Sequence, residues 1–283
     1  MPELPEVETI ARGLDRRVRG AVIVSVWLGE KPEPFRSPPE VIARALAGSH
    51  IREVHRVGKH IVFDLERMDT PNAAVTQWLV HLGMTGRMLV VAADVPLAPH
   101  THAIADLADG RQLRFVDPRR FGRLSIVEGS HASGSTGTPT AFRGTGREPL
   151  EISDEEFAAL FRGRRTPIKS ALLNQKLLHG VGNIYADEGL FRAGIRPRRL
   201  AGRLTRAELA RLREGLRGVL QEAIALGGSS VSDYVDADGQ RGFFQLEHRV
   251  YLRTGQPCRV CGTPIRRILV AGRGTHYCPK CQK

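Results

Sequence analysis

Apolar positions fall into two regimes along this chain. Behind the opening "MPELPEVETI", Val7, Ile10, Leu14 and Val18 recur at helical spacing, which predicts a helix from near Pro5 to about Gly20 with Glu3 and Glu6 at its N-terminal end. From about 21 to 127 the apolar residues come instead in short runs broken by Gly, Pro and Asp: "AVIVSVWL", "HIVFDL", "WLVHLGM", "GRMLVV", "RQLRFVD" and "FGRLSIVE". These read as strands of a sandwich or barrel. The stretch "GSHASGSTGTPTAFRGTG", residues 129–146, has the small, polar composition of a linker and places a domain boundary there.

Helical patterning returns beyond the linker. Ser153 with Glu156 forms a capping box before "FAALF", "PIKSALLNQKLLHG" predicts a helix closed by Gly180, and Thr205 with Glu208 caps a long helix striped by Leu209, Leu212, Leu216, Val219 and Leu220. The second half reads as helical until about 227, where the Gly- and Asp-rich segment "GGSSVSDYVDADGQRGFF" leads into a cysteine-bearing hairpin.

Composition adds limits to this picture. The 283 residues are 41% hydrophobic and 6% aromatic, enough for two domains and a sizeable core. No run of about 18 apolar residues is present, so no membrane span is expected. The opening lacks the basic start and apolar stretch of a leader, so the expected compartment is the cytoplasm. Lys and Arg number 42 against 30 Asp and Glu, a net charge of +12 that attracts polyanions and makes nucleic acid the leading partner. A GC-rich genome would account for 36 arginines against 6 lysines, but not for the excess of positive charge.

All four cysteines lie near the end of the chain: Cys258, Cys261, Cys278 and Cys281, spaced C-x2-C, sixteen residues, C-x2-C. That is a tetrahedral zinc spacing. Two disulfides would use the same residues, but the expected compartment is reducing, which favours zinc. Gly262 and Pro279 supply the turns that converging thiolates require.

Three further stretches carry candidate chemistry. In "HGVGNIYADEGLFRAGI" a glycine turn precedes a helix beginning near Asn183, an arrangement that can face an anion such as a phosphate or can be a plain helical hairpin. "DPRRFG", residues 117–122, puts two guanidiniums beside an aromatic ring, which suits either an element entering a duplex or an ordinary β-turn. Lys59, in "RVGKHIVF", directly precedes an apolar run. The opening itself is chemical: with Met1 removed, Pro2 carries a secondary α-amine, and α-amines have a reference pKa of roughly 7.7–8.0, well below that of lysine. Attack on a sugar C1′ gives an iminium, an electron sink for eliminating the 3′ phosphate, while Glu3 exchanges protons.

"PELPEVET", "GKH", "HLGMTGRM", "DPRRFG", "GVGNIYADE", "DYVDADGQRGFF" and "CRVCGTPI" with "GRGTHYCPKCQK" occur in an order and spacing that resembles bacterial formamidopyrimidine-DNA glycosylase over nearly the whole chain. The resemblance implies an α+β fold: an N-terminal β-sandwich with flanking helices, a helix-two-turns-helix domain and a zinc-binding β-hairpin. It implies domains at 1–130 (catalytic), 131–150 (linker), 151–245 (helical, with a lesion-capping loop near 228–244) and 246–283 (zinc finger). The implied activity is bifunctional: excision of oxidised purines (8-oxoguanine, formamidopyrimidines) from damaged double-stranded DNA in base excision repair, then lyase cleavage by β,δ-elimination. The implied protein is a monomer with one structural zinc, bacterial, cytoplasmic and nucleoid-associated through DNA.

Position by position, the family's nucleophile falls on Pro2, its acid on Glu3, a supporting carboxylate on Glu6 and the β-elimination amine on Lys59. The residues filling the gap left by a flipped base fall on Met84, Arg119 and Phe121, and the phosphate contacts on His100, Arg164, Lys169 and Asn183. Arg273 matches the arginine associated with δ-elimination. The chain departs from the pattern at His60, where an aromatic residue is usual, in the long linker, and at Val231 and Ser232, where lesion contacts are not carried over. An endonuclease VIII-like enzyme for oxidised pyrimidines fits less well because of Leu4 and the Met84, Arg119 and Phe121 set. A non-catalytic zinc-dependent DNA-binding protein would leave Pro2, Glu3 and Lys59 without a task.

Overall fold

The computed structural model describes residues 1–67, 76–128, 141–229 and 242–283. These form two compact units, one built mainly from residues 6–143, the other from 144–229 and 243–283 together with Glu3–Pro5. Most of the expected linker and residues 230–241 of the expected lesion-capping loop, with Val231 and Ser232, lie outside the described residues.

The first unit is a β-sandwich with two helices. Helix α1 (Leu4–Val18) matches the apolar periodicity: Val7, Ile10, Ala11, Leu14 and Val18 are buried in one stripe. Strands β1 (Ile23–Leu28), β2 (Ser49–Val57), β3 (His60–Arg67), β4 (Thr76–His81), β5 (Arg87–Ala92), β6 (Thr101–Leu107), β7 (Arg111–Val116) and β8 (Arg123–Glu128) make two four-stranded sheets, ordered β1-β6-β7-β5 and β2-β3-β4-β8. Every strand pair is antiparallel. Inward residues of both sheets, among them Ile61, Phe63, Trp78, Met88, Phe115 and Leu124, share one core with α1 and with α2 (Pro39–Leu46). Strands β2 and β6 and helix α2 were not legible as apolar runs, since β2 alternates charges with its buried Ile51 and Val54 and β6 is built largely from small residues.

The second unit is helical with a terminal hairpin: α3 (Asp154–Phe161), α4 (Ile168–Leu172), α5 (Asn183–Ala193), α6 (Arg206–Ala225), and the two-stranded β9 (Arg266–Val270) and β10 (Arg273–Tyr277). Both capping boxes form, Ser153 with Glu156 and Thr205 with Glu208. The leucine stripe of α6 is buried in the unit's core. The helix expected over "PIKSALLNQKLLHG" is corrected: α4 stops at Leu172. Asn174 and Gln175 end it, because the Asn174 side chain accepts from Lys176 N (3.0 Å) and Gln175 Nε2 donates to Leu173 O (2.9 Å) and Val181 O (2.8 Å), turning the chain away from the helical ladder. No helix among the described residues is long and apolar enough to cross a membrane.

Candidate nucleic-acid and catalytic site

The anion at the N-terminus of α5 belongs to the chain itself. Glu3, 5% exposed, accepts from Ile184 N at 3.2 Å through Oε1 and from Tyr185 N at 3.5 Å through Oε2. The helix has Gly182 at its N-cap with no side chain to cap it, so Glu3 supplies the missing acceptor from a distant part of the sequence. Glycine is required there by space: a Cβ on Gly182 would lie 2.2 Å from Glu3 Cδ and 2.4 Å from Oε1. Ile184 N and Tyr185 N thus face a carboxylate of the chain itself. The same geometry seats Glu3 next to Pro2, which is also buried, and Leu4 N follows by donating to Gly180 O at 3.0 Å.

The start of α5 and Lys169 of α4 together hold the hairpin. Asn183 Nδ2 and Lys169 Nζ each donate to Gly274 O at 3.1 Å. Lys169 is fully buried and pairs with Asp187 at 2.6 Å, and burial pulls its ammonium below the ordinary lysine range against the pull of that carboxylate. In this position its charge is committed to Asp187 and Gly274, at odds with the expected phosphate contact. Asp187 Oδ2 accepts from His276 N at 2.8 Å. Glu188 collects Arg249 N, Val250 N and Tyr251 N at 2.8–3.0 Å, while burial pushes its carboxyl up. Arg273, at the exposed start of β10, is adjacent to the Gly274 carbonyl on which Asn183 and Lys169 converge.

The four cysteines fit a metal ion. Their sulfurs all lie within 4.8 Å of one another, with Cys258–Cys281 at 3.9 Å and Cys261–Cys278 at 3.5 Å. Tetrahedral zinc with Zn–S near ~2.3 Å sets sulfurs about 3.8 Å apart. These spacings are far too long for S–S bonds, and all four thiols are free. Val260 N and Cys281 N point at Cys258 Sγ (3.5 Å) and Cys278 Sγ (3.4 Å), the direction that steadies thiolates. Hydrogen bonds from Thr263 bring Cys261 down to about 6, whereas burial pushes Cys281 up. Gln282 ties the second cysteine pair to the end of α5, accepting from Cys278 N and donating to Ile195 O.

In the first unit, Lys59 follows the left-handed Gly58 in the β2–β3 turn and is buried. The ring of His60 meets His81 and Phe142 at centroid distances of 5.1 Å each, so it fills an aromatic place despite its departure from the family pattern. His81 is held neutral, down to about 4, by burial first and then by the charges of His60, Lys59 and Arg123. Its Nδ1 accepts from Gly83 N at 3.1 Å, leaving the proton of the neutral ring on Nε2. Glu6 is 2% exposed in the first turn of α1.

Met84 (41% exposed), Arg119 and Phe121 (52% exposed) come together on two turns, with the Arg119 guanidinium 4.9 Å from the Phe121 ring centroid. His100, exposed and with φ 67°, accepts from Asp117 N at 3.0 Å through its carbonyl. Arg164 is exposed on the turn after α3. Sequence reasoning marked Gly182 as part of the turn before α5 but gave no role to Asp187, Glu188, Asp117 and His81. Glu188 and Asp187 meet Val250 N and His276 N, 62 and 89 residues away, and Asp117 meets Thr85 across 32, whereas His81 bonds Gly83 N only two residues on and is set apart by its burial.

Family models match the chain in three successive stretches: the formamidopyrimidine-DNA glycosylase N-terminal domain over residues 1–124, the formamidopyrimidine-DNA glycosylase H2TH domain over 145–235, and the zinc finger found in FPG and IleRS over 255–283. A formamidopyrimidine-DNA glycosylase of Solibacter usitatus is 45% identical over 283 residues, 100% of both chains. The crystal structure of the MutM (FPG) protein from Thermus thermophilus superposes with a TM-score of 0.83 at 42% identity, covering 99% of this chain and 98% of that one. Wild-type Lactococcus lactis Fpg in complex with DNA containing N7-benzyl-Fapy-dG gives 0.84 at 32% identity over 100% of both.

Proposed function

The chain belongs to the formamidopyrimidine-DNA glycosylase family, and from that premise we propose that Pro2 is its nucleophile and Glu3 its proton-exchanging partner. The protein is a DNA glycosylase of base excision repair that removes oxidised purines from damaged duplex DNA as a monomer, with the lyase activity typical of the family and one structural zinc on the four cysteines. Pro2 acts as the free amine left by removal of Met1, since an amide nitrogen cannot form an iminium. It attacks C1′ of the damaged nucleotide and displaces the base, which leaves with a proton. Opening of the sugar then gives the iminium. Loss of the C2′ proton expels the 3′ phosphate, a second elimination expels the 5′ phosphate, and water releases the amine.

Glu3 is covalently fixed beside Pro2, and its carboxylate is anchored by two helix N–H groups, so it is held for proton exchange with the sugar. That anchorage is the observation that carries this reading. Lys59 and Arg273 orient the backbone for elimination, Arg273 through charge and hydrogen bonds because guanidinium does not give up its proton. Glu6 supports the catalytic end of α1. Met84, Arg119 and Phe121 fill the gap left by the flipped base, and His100, Arg164 and Asn183 meet phosphates. The chain divides into 1–130, a linker to 150, a helical region to 245 and a zinc finger. Its working place is the cytoplasm, at the nucleoid.

Borohydride reduction of the enzyme mixed with lesion-containing duplex should freeze the iminium, and mass spectrometry should find the DNA on Pro2. An adduct on Lys59 would overturn the assignment, and no adduct at all would leave a DNA-binding protein without this chemistry.

A further inference from the structure

Asp117 has no part in the reaction as derived above, yet it is fully buried between the two turns that carry Met84, Arg119 and Phe121. Its Oδ1 accepts the Thr85 hydroxyl at 2.6 Å, and its Oδ2 accepts Gly122 N at 2.7 Å. Arg119 N points at both partners, 3.3 Å from Asp117 Oδ1 and 3.4 Å from Thr85 Oγ1. The main chain of Asp117 is pinned as well, its N–H to His100 O at 3.0 Å and its carbonyl by His102 Nε2 at 3.0 Å. The turns also touch through backbone: a Cβ on Gly83 would lie 2.4 Å from the carbonyl carbon of Phe121 and 2.5 Å from Gly122 N. Met84 and Phe121 nonetheless extend outward from this polar knot, about half exposed.

Extruding a base costs a few kcal/mol in lost stacking, and groups that replace it offset more of that cost when they are ordered beforehand. Two independently moving turns would each have to be fixed on insertion. We propose that Asp117 and Thr85 are positioning residues that join these turns into one rigid wedge, so that Met84, Arg119 and Phe121 enter the duplex together. A buried carboxylate is suited to this, because a charge-assisted hydrogen bond from Thr85 is stronger and more directional than a neutral one. The proposal rests on the gap-filling reading of those three side chains.

The test compares single-turnover base excision from a duplex containing 8-oxoguanine opposite cytosine with cleavage at a preformed abasic site, where no base remains to be flipped. Thr85→Val, which keeps the shape and removes the hydroxyl, should slow excision on the order of tenfold, the scale of one lost hydrogen bond to a charged group, and leave abasic cleavage near wild type. Thr85→Ser should restore excision. In a Met84→Ala background the Thr85→Val effect should diminish, because one of the three side chains that the joined turns hold is gone. Wild-type excision by Thr85→Val, equal losses on both substrates, or an undiminished effect without Met84 would each overturn the proposal. Phe121→Ala serves as the reference: if it fails to separate the two substrates, the gap-filling reading itself is wrong, whereas separation by Phe121→Ala without separation by Thr85→Val rejects only the wedge.

Discussion

Gly182→Ala places one methyl group where the Glu3 carboxylate sits. The added carbon would lie 2.2 Å from Glu3 Cδ, against a comfortable carbon–carbon separation of about 3.5–4.0 Å. Backbone torsion raises no objection, since Gly182 has φ −130°. The carboxylate must therefore withdraw by more than an ångström and surrender its bonds to Ile184 N and Tyr185 N. One bond of ordinary length to a charged group, with a second, longer one, amounts to about 2–3 kcal/mol, including the interaction with the helix end. That corresponds to a fall in Tm of roughly 4–8 °C. If Glu3 exchanges the proton as proposed, displacing it by such a distance should slow iminium formation about a hundredfold. Thermal unfolding and borohydride trapping on abasic duplex measure the two effects. In a Glu3→Ala background the clash has no partner, so the stability cost of Gly182→Ala should vanish there. A Gly182→Ala enzyme that melts and traps like wild type, or one that loses the same stability with and without Glu3, would refute the reasoning.

Replacing Cys278 with serine should lower zinc content and weaken binding to lesion DNA, because the metal sets the backbone that presents Arg273; metal analysis with a gel-shift titration checks it, and unaltered binding by the metal-free variant would contradict it. Arg273→Ala should leave base excision partly intact while β-elimination ends accumulate, and an unchanged share of δ-elimination product at saturating enzyme would remove Arg273 from that step. His81 and His248 are both held near 4 instead of 6.5, chiefly by burial. Between those values the unfolded chain takes up protons that the folded chain refuses, so stability should fall as pH drops from 6.5 toward 4 and not recover on further acidification. The slope of unfolding free energy against pH, from denaturant titrations, should be shallower for His248→Leu in that window by one proton's worth, about 1.4 kcal/mol per pH unit, and an unaltered slope would show that His248 does not titrate as described.

Local signals in the sequence were strong where structure is local. The stripe of α1, the Ser153 and Thr205 capping boxes, the leucine face of α6 and the cysteine spacing each rest on residues within a few turns of one another, and each reads directly from the chain. Strand β2 escaped because its outward Arg52 and Glu53 dilute the alternation that Ile51 and Val54 carry. The end of α4 escaped because Asn174 and Gln175 bond to backbone that helical periodicity alone cannot anticipate. At the site, the glycine-turn-helix pattern left open whether its N–H groups face an anion, and the carboxylate they meet could not be read locally: Glu3 lies 181 residues before Ile184. Lys169 looked like a cation awaiting a phosphate, since nothing near it in sequence marks Asp187 as its partner.

Helix α5 meets the C-terminal module partly through side chains, with Phe191 packed among Val250, Ile265 and Cys278 and Asp187 facing the His276 ring at 3.3 Å, and partly through main-chain atoms: the amides of Arg249, Val250, Tyr251 and His276, and the carbonyl of Gly274. Such atoms are present whatever side chains accompany them. The hairpin is thus seated by contacts that do not use the side chains of its exposed edge, while the cysteines fix its backbone. Residues along its exposed edge, Arg273 included, are free to drift or be exchanged without loss of registration. A module built in this way can acquire a new end-processing chemistry or a new grip on DNA by substitution at the tip, with the socket in α5 left as it is.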